Sequence, residues 1–191
     1  PAVAIPTRRD DLTQRQMRGT AMGELEARTI PSVVERAAAL FGDREGLVEG
    51  DRRLTFAELA AEVDRAARAY VAHGVQPGDR VAVWAPNMAD WVIAALGAFR
   101  AGAIVVTVNT RFKGDEAGYV IGTAGATTLV TVTDFLDTDY VALLDAAGRP
   151  DCLRDVVVLS GPTPDGSVAW PDYLRAADAV DAGAGAERAA A

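Results

Sequence analysis

Apolar residues in this chain alternate between a helical rhythm and short continuous runs. Ile30, Val33, Val34, Ala37 and Leu40 recur at helical spacing, which predicts a helix over Ile30–Phe41 lying on the main body. Glu45–Glu49, Gly50-Asp51 and Arg52–Thr55 then read as a short hairpin. Thr55 and Glu58 form an S/T-x-x-E capping box, and Phe56, Leu59, Ala60, Val63, Ala67, Tyr70 and Val71 mark the apolar stripe of the helix that follows. Gly74 is placed to end that helix in a left-handed conformation, with Val75 supplying the hydrophobic contact.

Pro77-Gly78-Asp79 is a turn, and Val81-Ala82-Val83-Trp84 is an apolar strand of the kind buried on both faces. Asn87 can cap the next helix, with Asp90 in its first turn. That helix, Met88–Ala101, is apolar almost all round and belongs in a core. Ile104–Val108 reads as a second buried strand. A helix from about Gly114 to Thr123, a strand at Thr127–Val132, a helix at Asp134–Ala147 and a strand at Asp155–Leu159 follow. Strands alternating with helices predict an α/β fold: an open, mostly parallel sheet with helices on both faces, plus a short amino-terminal hairpin. After Ser160 the pattern fades. Gly161–Gly166 is turn-rich, while Trp170, Tyr173 and Leu174 suggest a short helix docked by aromatics. The expected division is an amino-terminal arm over 1–29, an α/β subdomain over 30–175 and a small, featureless linker over 176–191.

Composition narrows the functional classes. Half of the 191 residues are apolar, enough for a sizeable core, and the net charge is −8. An acidic chain has no electrostatic footing on nucleic acid or anionic membrane, so neither is an expected partner. The single cysteine, Cys152, cannot form an internal disulfide and suits a reducing compartment. Residues 1–28 show no apolar leader segment, and the longest apolar stretch, Trp91–Val108, is interrupted by Arg100 and Gly102. A cytoplasmic chain without a membrane span is expected.

No G-x-x-x-x-G-K-[ST] loop occurs, and the G-x-G at Gly183 and Gly185 stands in the linker, not at a strand-to-helix turn. Gly122 and Gly125 mark a helix end. His73, the sole histidine, sits at a helix end where it can satisfy terminal carbonyls. One histidine builds neither a metal cluster nor a catalytic triad, so no catalytic or metal-ligating residue is assigned. In open α/β sheets ligands gather at the carboxyl ends of strands. The loops there are Ala85-Pro86-Asn87, Asn109-Thr110-Arg111, Thr133-Asp134 and Ser160-Gly161. Arg111 and Lys113, the only lysine, stand together just before a helix N-terminus. Two cations beside free backbone N–H groups suit a phosphate, although surface cations in loops are commonly just solvated.

Several short motifs run in a fixed order. They are Leu54-Thr55-Phe56-Ala57-Glu58-Leu59, Gly74-Val75-Gln76-Pro77-Gly78-Asp79-Arg80-Val81-Ala82, Pro86-Asn87, Trp91, Ala98–Gly102 with Ala103-Ile104-Val105-Val106, and Asn109-Thr110-Arg111-Phe112. Over the span from about Pro31 to Val158 they resemble the amino-terminal part of acyl-CoA synthetases, the fatty-acid–CoA ligases of the adenylate-forming AMP-binding superfamily. Lys113 departs from the pattern, since relatives place Ser or Thr there as a helix cap. The resemblance implies ATP-dependent conversion of a carboxylic acid to an acyl-adenylate, then displacement of AMP by coenzyme A, with Mg²⁺ accompanying ATP. It makes Arg111 and Lys113 candidates for a coenzyme A phosphate.

The resemblance also implies that the phosphate loop, the adenine and magnesium motifs and the lysine-bearing lid lie beyond Ala191. On that reading the chain is an inactive fragment. Its expected partners are the acid, the remainder of the same polypeptide and a second copy in a homodimer. The Arg- and Ala-rich composition and the stretch TDFLDTDYVALL resemble actinobacterial synthetases for fatty or sterol-derived acids. Two alternatives stay open: a non-catalytic α/β binding module, and an adenylation domain that loads a carrier protein.

Overall fold

The computed structural model describes residues 29–181. Most of the arm, the end of the linker, and Gly183 and Gly185 lie outside them. Helix α1 (Ile30–Phe41) leads into a hairpin of β1 (Glu45–Glu49) and β2 (Arg52–Thr55), then α2 (Phe56–Ala72). The α/β repeat comprises β3 (Arg80–Trp84), α3 (Ala89–Arg100), β4 (Ile104–Thr107), α4 (Gly114–Ala124), β5 (Thr128–Val132), α5 (Tyr140–Ala147) and β6 (Asp155–Ser160). It closes with β7 (Val168–Ala169), α6 (Trp170–Arg175) and a 3-10 turn (Ala176–Ala179).

Strands β3 to β7 form one parallel sheet in the order β4-β3-β5-β6-β7, and the antiparallel hairpin stands apart from it. The chain steps outward from β3 to β4, then crosses back to β5, so the strand order reverses beside β3. Alternation along the strands feeds two cores. Val81, Val83, Val130 and Val157 pack with Leu59, Val63, Ile93 and the α6 aromatics on one face. Ala82, Trp84, Leu129, Val156 and Val158 pack with Ile121, Val141 and Leu144 on the other. The sheet is thus covered by α2, α3 and α6 on one side and by α4 and α5 on the other.

Local signals act as the sequence suggests at most element ends. The Thr55 hydroxyl accepts from Glu58 N–H at 3.2 Å, and the Glu58 carboxylate accepts from Thr55 N–H at 2.8 Å. Gly74 takes φ +82°, and Val75 N–H reaches back to Tyr70 O at 3.0 Å, closing the α2 terminus around a fully buried Val75. Backbone and side-chain hydrogen bonds from Thr55 hold the Glu58 carboxyl below its ordinary range. A group depressed on folding stabilises above its unfolded pKa and loses that contribution as pH falls through its folded value. Glu58→Gln should therefore lower the denaturation midpoint at neutral pH. The gap to wild type should narrow as pH falls below the carboxylate range. A gap that stays constant with pH in paired urea titrations would remove Glu58 from the account.

Five local expectations need correction. Asn87 does not cap α3. Met88 is the N-cap and makes no side-chain bond, and Ala89 N–H donates instead to the Glu49 carboxylate of the hairpin at 3.2 Å. A salt bridge of 2.9 Å between Arg52 and Asp90 adds a second tie from hairpin to helix. The strand at Ile104 is not buried: β4 is the sheet edge, and Ile104 is 53% exposed. The fourth helix begins at Tyr140, not Asp134, with Asp139 as its cap accepting from Ala142 N–H at 3.0 Å. His73 does not serve carbonyls; its ring stacks on Tyr173 with centroids 3.9 Å apart. The first four residues read as linker, Ala176–Ala179, form the 3-10 turn, and Ala177 is buried against α2.

That turn is held by charge as well as packing. Arg68 donates to Ala177 O at 2.9 Å and to Asp64 at 3.0 Å, and Asp64 also accepts from Arg100 at 3.1 Å. Arg100, with its side chain only 13% exposed, pairs further with Glu35. Burial works against its charge, but Glu35 and Asp64 outweigh that and raise its pKa. The network joins α1, α2, α3 and the turn into one body.

Candidate functional site

Loops after β4 and β5 meet above the carboxyl end of β3. Asn109 begins the first. Its Oδ1 accepts from Arg111 N–H at 2.9 Å and its carbonyl from Phe112 N–H at 3.0 Å, which folds the loop back toward α4. Two aromatic donors fix the loop from beneath. Trp84 Nε1 donates to Asn109 O at 3.1 Å, and Tyr140 Oη donates to Thr110 O at 2.8 Å. The Trp84 and Tyr140 rings stack, with centroids 4.3 Å apart and planes 4° from parallel. Thr131 Oγ1 donates to Trp84 O at 2.9 Å and locks that pair to β5. Burial raises the Tyr140 pKa, so this phenol remains a donor at neutral pH.

Above this floor lies an open cleft of about 420 Å³ lined by Thr110–Lys113 on one side and by Phe135, Leu136, Thr138, Tyr140 and Leu143 on the other. The structure therefore brings Arg111 and Lys113 to one cleft. Both are exposed, and neither makes an ion pair among the described residues. The start of α4 is less free than the sequence suggests. Glu116 accepts from Lys113 N–H at 2.9 Å, and Asp115 shares that first turn. Lysine has no acceptor with which to cap the helix, and Glu116 satisfies the N–H of Lys113 itself, leaving the first-turn N–H groups without a side-chain cap. An anion in the cleft meets two cations at the rim and two carboxylates behind them.

The other strand-end loops stay outside. Ala85–Asn87 does not line the cleft, and Ser160 is tied to Asp134 at 2.8 Å on the far side of β5. The second wall, Phe135 to Leu143, was missed by sequence reasoning, which ran a helix through it. The cluster Asp137-Thr138-Asp139, rich in turn and cap formers, is the signal that marks the break. Among the described residues no group of three or more His, Cys, Asp or Glu is placed to hold a metal ion. No helix among them is long and apolar enough to cross a membrane.

The sequence matches the AMP-binding enzyme family over residues 34–182. The chain belongs to that family. It is 40% identical over 158 residues to the 3-[(3aS,4S,7aS)-7a-methyl-1,5-dioxo-octahydro-1H-inden-4-yl]propanoyl:CoA ligase of Mycobacterium tuberculosis (strain ATCC 25618 / H37Rv), a match covering 82% of this chain and 31% of that protein. It is 35% identical over 130 residues to the mitochondrial medium-chain acyl-CoA ligase ACSF2 of Homo sapiens, covering 67% of this chain and 21% of the relative. The crystal structure of the anthranilate CoA ligase AuaEII in complex with anthranoyl-AMP superposes with a TM-score of 0.70 at 25% identity, over 81% of this chain and 29% of that one. The chain thus spans a fifth to a third of the length of the curated relatives, and the match falls on their amino-terminal part. The α/β architecture and the family expected from the sequence both stand.

Proposed function

We propose that the full-length polypeptide carrying this chain is an AMP-forming acid–thiol ligase. It joins a carboxylic acid to ATP as an acyl-adenylate, with release of pyrophosphate, and then transfers the acyl group to the thiol of coenzyme A. The relationship to CoA ligases, 40% identity over 158 residues in the mycobacterial relative, carries this reading. The acid in this proposal bears an apolar body, a fatty chain or the ring-bearing propanoate for which the mycobacterial relative is named. Mg²⁺ would accompany ATP, and no cluster of described residues fits it. The remaining parts of the proposal are a division into arm (1–29), subdomain (30–175) and a segment over 176–191 that serves as linker beyond the Ala176–Ala179 turn packed on the subdomain, a homodimer, and a cytoplasmic location suited to the lone Cys152. Sedimentation and cell fractionation test the last two.

The test of the activity is acid-dependent pyrophosphate exchange by the full-length protein, followed by mass detection of an acyl-CoA. Exchange with transfer only to a carrier-protein thiol would replace this reading with an adenylation domain. No exchange with any acid would retire it.

Arg111, and secondarily Lys113, is proposed to hold a phosphate of coenzyme A. The support is that both exposed cations line one cleft at the carboxyl edge of the sheet. A hydrogen bond to a charged group contributes about 1.5–3 kcal/mol, so Arg111→Ala should raise the KM for coenzyme A about tenfold or more. Pyrophosphate exchange should hardly change, because coenzyme A takes no part in the first step. A merely solvated Arg111 leaves both steps at wild-type values.

A further inference from the structure

The two edges of the parallel sheet are finished differently. At one edge β7 pairs over two residues only, Val157 with Val168 and Val158 with Ala169, and so short a strand offers little to a further one. At the other edge β4 pairs with β3 in unbroken register from Ile104 to Thr107. Ile104 N–H donates to Asp79 O at 2.8 Å and Val108 N–H to Val83 O at 3.0 Å, so Ile104, Val106 and Val108 turn their backbone groups toward β3. Val105 and Thr107, between them, turn N–H and C=O outward. The run Ile104–Thr107 has no charged residue, proline or bulge, the devices that ordinarily keep an exposed edge from pairing. Three of its four side chains are apolar. Ile104 is exposed, while half-buried Val105 and Val106 carry the two cores out to the edge.

We propose that two copies of the chain join at this edge, β4 against β4 in antiparallel array, so that two five-stranded sheets become one. The inference rests on the homodimer proposed above and gives it an interface. A second copy fits because the edge is complementary to itself. With Val106 on the two-fold axis, Val105 meets the partner's Thr107 and Thr107 meets the partner's Val105. Both pairs present outward N–H and C=O groups, and each exchanges two backbone hydrogen bonds. Val106 then lies opposite the partner's Val106, and Ile104 opposite the partner's Val108, so the pairs on that face are apolar. No like charges are set against each other. A later segment of the same polypeptide is a less suitable occupant. The chain continues from β7 through α6 and the 3-10 turn, at the far end of the order β4-β3-β5-β6-β7, about four strand spacings or roughly 19 Å from β4.

The experiment uses the full-length protein. Sedimentation gives the dissociation constants of wild type, Thr107→Pro and Ile104→Lys. Proline at 107 removes an N–H that points to solvent in the monomer, so an edge strand tolerates it, yet it deletes two interchain bonds. It should weaken the dimer about tenfold or more, while far-UV circular dichroism stays at wild type. Ile104→Lys places a charge on the edge and should also weaken the dimer. Val106→Cys should cross-link on mild oxidation, because a non-hydrogen-bonded antiparallel pair sets its Cα atoms about 4.5 Å apart, within disulfide reach. Peptide mapping should join position 106 to position 106, and adding Thr107→Pro should abolish the link. A wild-type dimer that neither edge variant weakens, and that forms no link between the two positions 106, overturns this inference alone. A wild-type protein that stays monomeric at every concentration overturns it together with the proposed homodimer. Slow amide exchange at Val105 and Thr107 in that monomer would show the edge covered by the same polypeptide instead.

Discussion

Purified residues 1–191 should exchange no pyrophosphate into ATP with any carboxylic acid. Adenylate formation moves charge on a triphosphate, and its catalysis is mostly positioning and electrostatic stabilisation. The chain carries one lysine, Lys113, and no G-x-x-x-x-G-K-[ST] loop. Lys113 and Arg111 are exposed at the rim of an open cleft, with Glu116 and Asp115 behind them. Such a rim can hold one phosphate but cannot surround three or exclude water from them. The nearby aromatic pair, Trp84 and Tyr140, spends both of its polar atoms on backbone carbonyls. Enzymatic acceleration starts at about a millionfold. Its absence is therefore unmistakable when this chain is assayed beside the full-length protein. Robust acid-dependent exchange by 1–191 would mean that a nucleotide site within this chain has gone unrecognised.

Most of the fold was legible because its signals are local. The capping box at Thr55 and Glu58 and the glycine stop at Gly74 act between residues three to five apart, and the structure shows both. Failures occurred where a distant group won. Asn87 lost the start of α3 to Glu49, some forty residues earlier, a competitor invisible to a window of sequence. The run Ile104–Val108 carries the same apolar pattern at an edge as in the middle of a sheet, so burial of β4 could not be read from it.

The site was half legible for a related reason. Arg111 and Lys113 stood out as cations in a strand-to-helix loop. Leu136, Tyr140, Leu143 and Leu144 fall at helical spacing, which extended α5 backwards through the turn that forms the second wall. Periodicity records which side chains could share a face, not whether the backbone beneath them is helical. The left-handed backbone at Leu136 and Asp137, with φ of 52° and 57°, leaves no trace in composition.

Gly114→Ala should be the most damaging conservative change in the α4–α5 layer, whereas Gly118→Ala, one turn along the same helix, should be harmless. A Cβ built at Gly114 would lie 2.1 Å from Leu143 O and 2.9 Å from Ala147 Cβ. The first of these is backbone and cannot rotate away, so the two helices must part. At Gly118 the added carbon meets only Leu144 Cδ1, at 3.5 Å, an ordinary contact. Overpacking costs about 1–3 kcal/mol and occasionally more, against a helix-propensity gain of about 1 kcal/mol for replacing glycine by alanine. Because the Gly114 clash is with backbone, the upper end of that cost applies, and a net loss of about 2 kcal/mol is expected. Gly118→Ala should gain about 0.5–1 kcal/mol. The difference should also reach the cleft, since Lys113 precedes α4 and Tyr140 opens α5, where it clamps Thr110 O. Parting the helices moves one wall from the other, so Gly114→Ala in the full-length protein should raise the KM for coenzyme A while Gly118→Ala leaves it unchanged. Urea denaturation and steady-state kinetics on the pair decide the matter. Equal midpoints for the two variants would show that α4 and α5 do not approach at Gly114 as closely as this packing requires.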